Sequence, residues 1–181
     1  MRVVSGTAGG IPLKTPGHDL RPTMDKVKGA IFSSLCEMIV GARVLDLFAG
    51  SGALGIEALS RGAAEATLIE NHPQAMQAID ANLAKTRLAA TVCKEDVFRF
   101  LQRNTKEFDL IFADPPYSKT ADGPNFGNQL LRSKDLLRAL APGGIFVLER
   151  APAKDVETPL FRLVRQRQYG ASEILLLAHP Q

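Results

Sequence analysis

Short apolar runs alternate with amphipathic stretches along the chain from residue 43 onward. The runs have the length of β-strands, and the stretches between them repeat apolar residues at helical spacing. Continuous apolar runs are typical of strands that helices cover on both faces. The pattern predicts strands over residues 43–48, 66–70, 90–93, 108–113 and 145–148, and helices over residues 53–60, 73–85, 97–101 and 130–140.

Alternation of this kind indicates an α/β fold: a Rossmann-like, doubly wound and mostly parallel sheet of seven strands with right-handed crossovers. The last two apolar runs, residues 160–167 and 173–178, have no helix between them. Strands joined by a short turn pair in antiparallel fashion. We therefore expect a C-terminal antiparallel hairpin at one edge of the sheet.

The first 42 residues follow a different pattern. Two extended segments around residues 9–10 predict a small hairpin, and a helix is predicted from Pro22 to about Ile39. The apolar face of that helix consists of Val27, Ile31, Leu35 and Met38. About forty residues bury too little surface to fold alone. The chain is therefore divided into an N-terminal extension, residues 1–42, and one main domain, residues 43–181.

The composition of the chain excludes several classes of protein. With 45% hydrophobic and 23% charged residues among 181, the chain has globular proportions. No apolar run approaches the roughly 18 residues that a membrane helix needs, and the first residues lack the apolar core of a signal peptide. Cys36 and Cys93 stand far apart, without the spacing of a disulfide framework or a metal site. We expect a cytoplasmic protein with no metal and no membrane partner.

A glycine-rich turn follows the first predicted strand. Gly50, Gly52 and Gly55 match the GxGxxG pattern between strand and helix, and Glu70 follows Gly50 by 20 residues, at the end of the next strand. Glycines allow a tight turn and a close approach of the backbone to a ligand, and the acidic side chain can accept hydrogen bonds from ribose hydroxyls. The pattern predicts a nucleoside cofactor.

Acidic residues indicate which nucleoside is bound. Asp46, beside the turn, would repel the pyrophosphate of a dinucleotide, whereas it suits S-adenosylmethionine, whose sulfonium and amino groups are cationic. Asp96, after the third strand, can accept a hydrogen bond from the adenine amino group, and the Val97 amide can donate one to a ring nitrogen. Because Asp46, Glu70 and Asp96 end successive strands, they fall in the crevice where open α/β sheets bind ligands.

The fourth predicted strand runs into the segment Asp114-Pro115-Pro116-Tyr117 at the same sheet edge. The exocyclic amine of a nucleobase is a poor nucleophile because its lone pair is delocalised into the ring. The Asp114 carboxylate and the Pro115 carbonyl can accept its two hydrogens, position the nitrogen and stabilise the positive charge that develops there. Tyr117 can stack on the base. The segment therefore predicts methyl transfer to a nucleobase amine.

Several segments resemble known enzymes. DLFAGSGALGIEALSRGA at 46–63, LIE at 68–70 and DPPY at 114–117 resemble class I S-adenosylmethionine-dependent methyltransferases. LRPTMDKVK at 20–28 and IFSSL at 31–35 are similar to the LRPTxDxVR…LFxxL signature of the RsmD family, the bacterial 16S rRNA guanine-N2 methyltransferases. The opening RVVSG and a closing Tyr-Gly before an apolar strand fit as well. The resemblance covers nearly the whole chain.

The resemblance implies methylation of the N2 amine of one guanine in 16S rRNA, within the small ribosomal subunit or an assembly intermediate. Separately, we expect the protein to be a monomer. It makes residues 43–181 the methyltransferase catalytic domain and residues 1–42 an extension that contacts RNA. The expected catalytic residues are Asp114, Pro115, Pro116 and Tyr117. The expected cofactor-binding residues are Asp46, Phe48, Gly50, Ser51, Gly52, Glu70, Asp96 and Val97. The expected RNA-contacting residues are Arg2, Lys14, Arg21 and Thr23, of which the last two either touch RNA or close the cofactor site.

Charge bears on how RNA is bound. The net charge of +3 lies within residues 1–43, which hold six Lys or Arg against three Asp or Glu. This favours a polyanionic partner for the N-terminal end. The family's basic GxxRGR-type segment, however, here reads TAGGIPLK at residues 7–14. Because phosphate contacts dominate RNA affinity, we predict weak binding to naked rRNA and recognition through the shape of the assembled particle.

Other functions stay open on the residues alone. An adenine-N6 methyltransferase acting on DNA or RNA also uses DPPY, although such DNA enzymes usually carry a target-recognition segment for which 181 residues leave no room. Protein glutamine methyltransferases favour Asn at the position of Asp114. A non-catalytic nucleoside-binding or RNA-chaperone module needs no such segment beside the donor.

Overall fold

The computed structural model describes residues 1–16, 22–116, 125–153 and 157–180, with side chains in the first helix from Asp25 onward. The helices are α1 (Pro22–Leu35), α2 (Ala53–Ser60), α3 (Pro73–Thr86), α4 (Val97–Arg103), α5 (Phe126–Leu131) and α6 (Lys134–Ala139), with one 3-10 turn at Cys36–Ile39. The strands are β1 (Arg43–Leu47), β2 (Glu65–Glu70), β3 (Thr91–Lys94), β4 (Phe108–Ala113), β5 (Leu140–Arg150), β6 (Arg162–Tyr169) and β7 (Ser172–Ala178).

The seven strands form one sheet in the order β3-β2-β1-β4-β5-β7-β6. The first five strands are parallel, whereas β7 is antiparallel to both β5 and β6. This confirms the predicted Rossmann-like α/β fold with its antiparallel C-terminal hairpin. Because β1, β2, β4 and β5 run in one direction, their carboxyl ends meet at a single edge of the sheet.

Alternation along the strands separates two apolar layers. On one side, here called the α1 face, Val44, Phe112 and Ile174 belong to a cluster that α1 covers with Ile31 and Phe32. On the other side, the α4 face, a second cluster joins strand residues to α4, α5 and α6. Successive strand residues point to opposite faces, so the parity of a residue number in each strand decides which layer its side chain enters.

Three local predictions were wrong. One helix was predicted over residues 130–140, but the chain forms α5 and then α6, because the Ser133 side chain accepts a hydrogen bond from the Leu136 amide and begins a new helix. Met38 was predicted to be buried. Instead α1 ends at Leu35, Cys36 takes a φ of 42°, and the 3-10 turn buries Ile39 while leaving Met38 44% exposed.

The third difference concerns β5. The Pro142-Gly143-Gly144 segment, expected to precede the strand, lies within it, and the pairing with β4 shifts between Phe108 and Leu110. An irregularity of this kind accommodates extra residues in one strand. The remaining strands and helices begin and end within three residues of the predicted positions.

The N-terminal segment packs onto α2 rather than standing apart. Its two arms meet at an antiparallel bridge between Arg2 and Pro12, which agrees with the predicted small hairpin. The fully buried Glu57 of α2 accepts hydrogen bonds from the amides of Val4 and Ser5 at 2.7 and 3.0 Å. These contacts join the first residues of the chain to the helix that follows the glycine turn.

Candidate active site

Four acidic residues lie at the carboxyl ends of neighbouring strands. Asp46 is the fourth residue of β1, Glu70 ends β2, Asp114 directly follows β4 and Glu149 lies near the end of β5. By strand parity, Asp46, Asp114 and Glu149 point to the α1 face. The fold therefore gathers several carboxyl groups at one sheet edge, as the sequence predicted for Asp46 and Glu70.

The glycine turn takes its shape from two backbone requirements. Gly52 precedes α2 with a φ of 75°, a left-handed conformation that glycine adopts without strain. Gly55 lies so close to β2 that a Cβ atom there would stand 2.2 Å from Leu68 Cδ2. Helix α2 thus packs close against the sheet at Gly55, whose amide donates a hydrogen bond to Asp46 near the end of β1.

A cavity of about 650 Å³ opens beside this turn on the α1 face. It extends from the glycine turn past Asp46 and Asp114 to Glu149 and the turn between β6 and β7. Its other walls come from the N-terminal segment and α1. Among the predicted cofactor residues, the cavity is lined by Asp46, Phe48, Gly50 and Ser51.

Asp46 is 1% exposed, and its Oδ2 accepts a hydrogen bond from the Gly55 amide at 2.9 Å. Burial raises the pKa of Asp46 to about 7; the Gly55 amide opposes this rise, and the negative charge of Glu70 adds to it. A cation in the adjoining cavity would stabilise the ionised carboxylate. The site therefore suits a positively charged ligand, as expected for the sulfonium and amino groups of S-adenosylmethionine.

The Glu70 side chain is hydrogen-bonded to the glycine turn. Its Oε2 accepts a hydrogen bond from the Gly50 amide at 2.8 Å, while Oε1 accepts from the amides of Asn71 and His72, both at 2.8 Å. The carboxylate thus connects the end of β2 to the turn after β1. Glu70 is absent from the residues that line the described cavity, and its expected contact with ribose stays a prediction.

Asp96 and Val97 lie beyond the described cavity, after β3. The Asp96 side chain begins α4, because its Oδ1 accepts hydrogen bonds from the amides of Phe98 and Arg99 at 2.9 and 3.0 Å. Val97 is buried. Helix capping is a sufficient structural reason for an Asp at this position. The expected adenine contacts of Asp96 and Val97 therefore stay predictions.

Three phenylalanine rings pack together near the glycine turn. The ring centroid of Phe48 lies 5.5 Å from that of Phe126 and 6.5 Å from that of Phe98, and the last two are 6.1 Å apart. Phe48 has a φ of 57°. Such a conformation costs a bulky residue on the order of 1–3 kcal/mol and is found mainly at functional sites. It places a strained aromatic residue in the cavity wall.

Of the predicted catalytic segment, one described residue lines the cavity. Asp114 lines it and keeps an exposed surface, Pro115 is buried and Pro116 is exposed, while Tyr117 lies outside the described residues. Burial, followed by the negative charges of Glu149 and Asp46, raises the pKa of Asp114.

Glu149 is a cavity residue that the sequence analysis missed. Residues Ala113 and Leu148 pair across β4 and β5, so Asp114 and Glu149 occupy the next positions of adjacent strands. Burial raises the pKa of Glu149, and a hydrogen bond with the Ser172 side chain opposes that rise. A signal was present: an acidic residue directly after an apolar strand, the same signal that identified Asp114.

The expected RNA-contacting residues are only partly described. The Arg2 side chain is 68% exposed and lies 3.9 Å from Asp25. Lys14 is exposed, and its backbone exchanges two hydrogen bonds with Asn82. Arg21 lies outside the described residues, and of Thr23 only the helical backbone is described. The structure therefore does not bring these four side chains together into one described surface.

Lys28 was also missed as a wall residue of the cavity. Its Nζ lies 3.1 Å from Glu57 and donates a hydrogen bond to the Arg2 carbonyl at 2.6 Å. Burial lowers the pKa of Lys28, and the charge of Glu57 opposes that effect. Arg61 pairs with the same carboxylate at 2.7 Å. This buried network ties α1, α2 and the N-terminal segment into one wall.

Two absences concern the described residues only. Within residues 1–16, 22–116, 125–153 and 157–180, no cluster of three or more His, Cys, Asp or Glu side chains is arranged to hold a metal ion. Over the same residues, no helix has both the length and the apolar character to span a bilayer.

Solved structures share this architecture. A candidate methyltransferase of Escherichia coli, yhhF, superposes with a TM-score of 0.79 at 31% identity and covers 100% of this chain and 99% of its own. The 16S rRNA N2 G1207 methyltransferase RsmC of Thermus thermophilus gives a TM-score of 0.73 at 23% identity, covering 91% of this chain and 44% of its own. The fold is that of a class I methyltransferase.

Sequence comparison gives the family. The family described as "Conserved hypothetical protein 95" matches residues 1–178. YlbH of Bacillus subtilis, named as a candidate rRNA methyltransferase, is 37% identical over 97% of each chain. Ribosomal RNA small subunit methyltransferase D of Escherichia coli is 41% identical over 66% of this chain and 61% of its own length. The chain belongs to the RsmD family of rRNA methyltransferases.

Proposed function

We propose that the protein transfers the methyl group of S-adenosylmethionine to the N2 amine of a guanine in 16S rRNA of the small ribosomal subunit. The observation that carries the proposal is that Asp114 and Glu149, which follow the paired residues Ala113 and Leu148, both line the cavity that begins at the glycine turn. In this proposal, residues 43–181 form the catalytic domain and residues 1–42 an extension that contacts RNA.

The glycine turn and Asp46 fit the cofactor. When bound, S-adenosylmethionine supplies an electrophilic methyl group on a positively charged sulfur. The buried Asp46 carboxylate has no cationic partner among the described residues, and its raised pKa means that a bound cation would relieve an unfavourable buried charge. The RsmC structure, which has this fold, is a complex with AdoMet and guanosine, and this supports the pair of ligands proposed here.

The two cavity carboxyl groups match the edge of guanine. Guanine presents its N2 amine and its N1–H as neighbouring hydrogen-bond donors. Asp114 accepts from the N2 amine and Glu149 from N1–H. Two such donors stabilise both carboxylates in the ionised form. They offset the burial that raises the pKa of each and the charge of Glu149 that adds to the rise for Asp114. Adenine presents an amine beside an acceptor nitrogen and satisfies only one of the two carboxylates.

Asp114 also receives the proton that the reaction releases. The bound cofactor would supply the methyl group and keep the electron pair of the broken C–S bond on sulfur, so that positive charge would develop on N2. The Asp114 carboxylate stabilises that charge and takes one N2 proton. A raised pKa makes this carboxyl a better proton acceptor than an ordinary Asp. Pro115, which is buried, restricts the backbone conformation of Asp114 before it.

The test compares three variants with labelled cofactor and unmethylated small ribosomal subunits, naked 16S rRNA and duplex DNA. Asp114→Asn should abolish transfer, and Glu149→Gln should reduce it at least tenfold, while both keep cofactor binding by calorimetry. Asp109→Asn is the matched control, because Asp109 lies on the same strand but pairs with Arg43 at the opposite end. It should retain full activity.

Nucleoside analysis of the product decides between bases. Label recovered as N2-methylguanosine supports the proposal. Label in N6-methyladenine, label in protein, or full activity of Asp114→Asn would overturn it.

A further inference from the structure

Three arginines of β6 lie on the same face of the sheet as the cavity. β6 is the outermost strand, and residues 162–168 are all exposed. Each arginine is paired with a β7 residue that is buried in the α1-face cluster. The pairs are Arg162 with Ala178, Arg165 with Leu176, and Arg167 with Ile174. Paired residues share a face, so the three side chains, here called the arginine row, project on the α1 face.

An irregularity in β6 creates this alignment. Residues three apart in a regular strand point to opposite faces, so Arg162 and Arg165 would be separated. The register of β6 against β7 shifts between Leu163 and Arg165, where Val164 has no pairing partner. The extra residue returns Arg165 to the face of Arg162.

The arginine row leads toward the cavity. The next α1-face position after Arg167 is Tyr169, which pairs with Ser172, and both residues line the cavity. Glu149 pairs with Ile174, and Ile174 pairs with Arg167. Two strand spacings therefore separate the backbones of Glu149 and Arg167, about 10 Å. A nucleotide whose base reaches Glu149 can place a phosphate over Arg167.

The positive charge of the row is not neutralised by described acidic residues. No salt bridge joins the row to a carboxylate among the described ranges. Glu173, the acidic residue of β7, points to the α4 face. There it pairs with Arg150 at 2.8 Å and accepts a hydrogen bond from Gln166. The row thus presents guanidinium groups to solvent.

We propose that the arginine row binds the phosphates of the RNA strand whose guanine enters the cavity. The inference rests on the proposed function. Guanidinium groups form bidentate hydrogen bonds with phosphate. Arg165 and Arg167 are about 6.6 Å apart along the strand, close to the spacing of neighbouring phosphates. The alternative role of edge-strand arginines is to prevent pairing with other chains, which requires no RNA.

The experiment measures how the affinity for small ribosomal subunits depends on salt. Arg165→Gln/Arg167→Gln is compared with the wild type and with Arg99→Gln/Lys106→Gln. The control removes two exposed charges, one on α4 and one before β4, both outside the arginine row. Each lost phosphate contact on a single strand lowers the slope of log affinity against log salt by about 0.7. The test variant should lose about 1.4 in slope and on the order of 10- to 30-fold in affinity at 0.1 M salt.

The outcomes separate this inference from the proposed function. If the test variant keeps the wild-type salt slope, the inference is overturned, whether or not its affinity for the subunit falls. A loss of affinity without a change in salt slope indicates a non-ionic contact or a contact with protein. Aggregation of the variant with unchanged affinity also overturns it and supports edge protection. Calorimetry with S-adenosylmethionine and thermal unfolding should be unaltered in the test variant. A wild-type protein that methylates nothing refutes the proposed function, while the binding slopes still decide the role of the row.

Discussion

Replacing Asp46 by Asn should make the cofactor-free protein more stable near pH 8 and weaken its binding of S-adenosylmethionine. The carboxyl is 1% exposed, and its pKa is raised from 3.8 to about 7. At pH 8 the folded protein therefore holds a buried anion that water would solvate in the unfolded chain. Asn keeps an oxygen for the Gly55 amide and removes the charge.

The size of the effect follows from the pKa. A rise of about three units at 1.36 kcal/mol each corresponds to about 4 kcal/mol. Because the folded-state pKa is the higher one, the contribution of Asp46 to stability is complete below pH 3.8. It is lost as the pH rises to about 7 and stays lost above. The variant lacks this pH dependence, so it should exceed the wild type by about 4 kcal/mol at pH 8 and by little near pH 4.

Urea unfolding of both proteins between pH 4 and 8.5 measures the difference, and Asp109→Asn is the control. Asp109 pairs with Arg43, which lowers its pKa, so its replacement should not stabilise the protein at pH 8. Calorimetry should find the wild type binding S-adenosylmethionine about tenfold more tightly at pH 8 than at pH 6, because the cation favours ionised Asp46. A stability difference that is equal at every pH, or tighter cofactor binding by the variant, would refute the reasoning.

Two further predictions concern side chains that hold the site together. Glu70→Ala removes the carboxylate that accepts a hydrogen bond from the glycine turn. Because hydrogen bonds to charged groups contribute about 1.5–3 kcal/mol, calorimetry should find S-adenosylmethionine binding weakened by roughly 10- to 100-fold. Unchanged affinity would contradict this role of Glu70. Glu57→Ala leaves buried Lys28 unpaired and should lower the free energy of unfolding by about 3–5 kcal/mol. Lys28→Met should lower the free energy of unfolding by less, because Glu57 still pairs with Arg61 and accepts hydrogen bonds from two amides. Equal losses of stability for the two variants in urea unfolding would contradict this role of Lys28.

Local patterns predicted most of the fold. The run at residues 108–113 is apolar from end to end, apart from Asp109, and forms β4 with the predicted limits. Gly52 and Gly55 identified the glycine turn because both the turn and the close approach of α2 to β2 depend on glycine. Such features are set by neighbouring residues and by the period of the side chains, so one sequence is enough to find them.

Features that depend on distant residues could not be predicted. The contact between Lys28 and Glu57 depends on how α1 crosses α2. The placement of Asp114 and Glu149 in one cavity wall depends on the register of β4 with β5. The shared face of the arginine row depends on an irregularity at Val164. In each case the residue types were visible in the sequence, but their neighbours were decided by tertiary packing.

The attachment of the N-terminal segment to α2 has a consequence for synthesis on the ribosome. The amides of Val4 and Ser5 find their acceptors on Glu57, more than fifty positions later. This segment emerges before α2 and must therefore wait, undocked, for several seconds at ordinary rates of translation. Contacts between residues so far apart in the chain form slowly. The part of the cavity wall that the N-terminal segment supplies therefore forms late in folding.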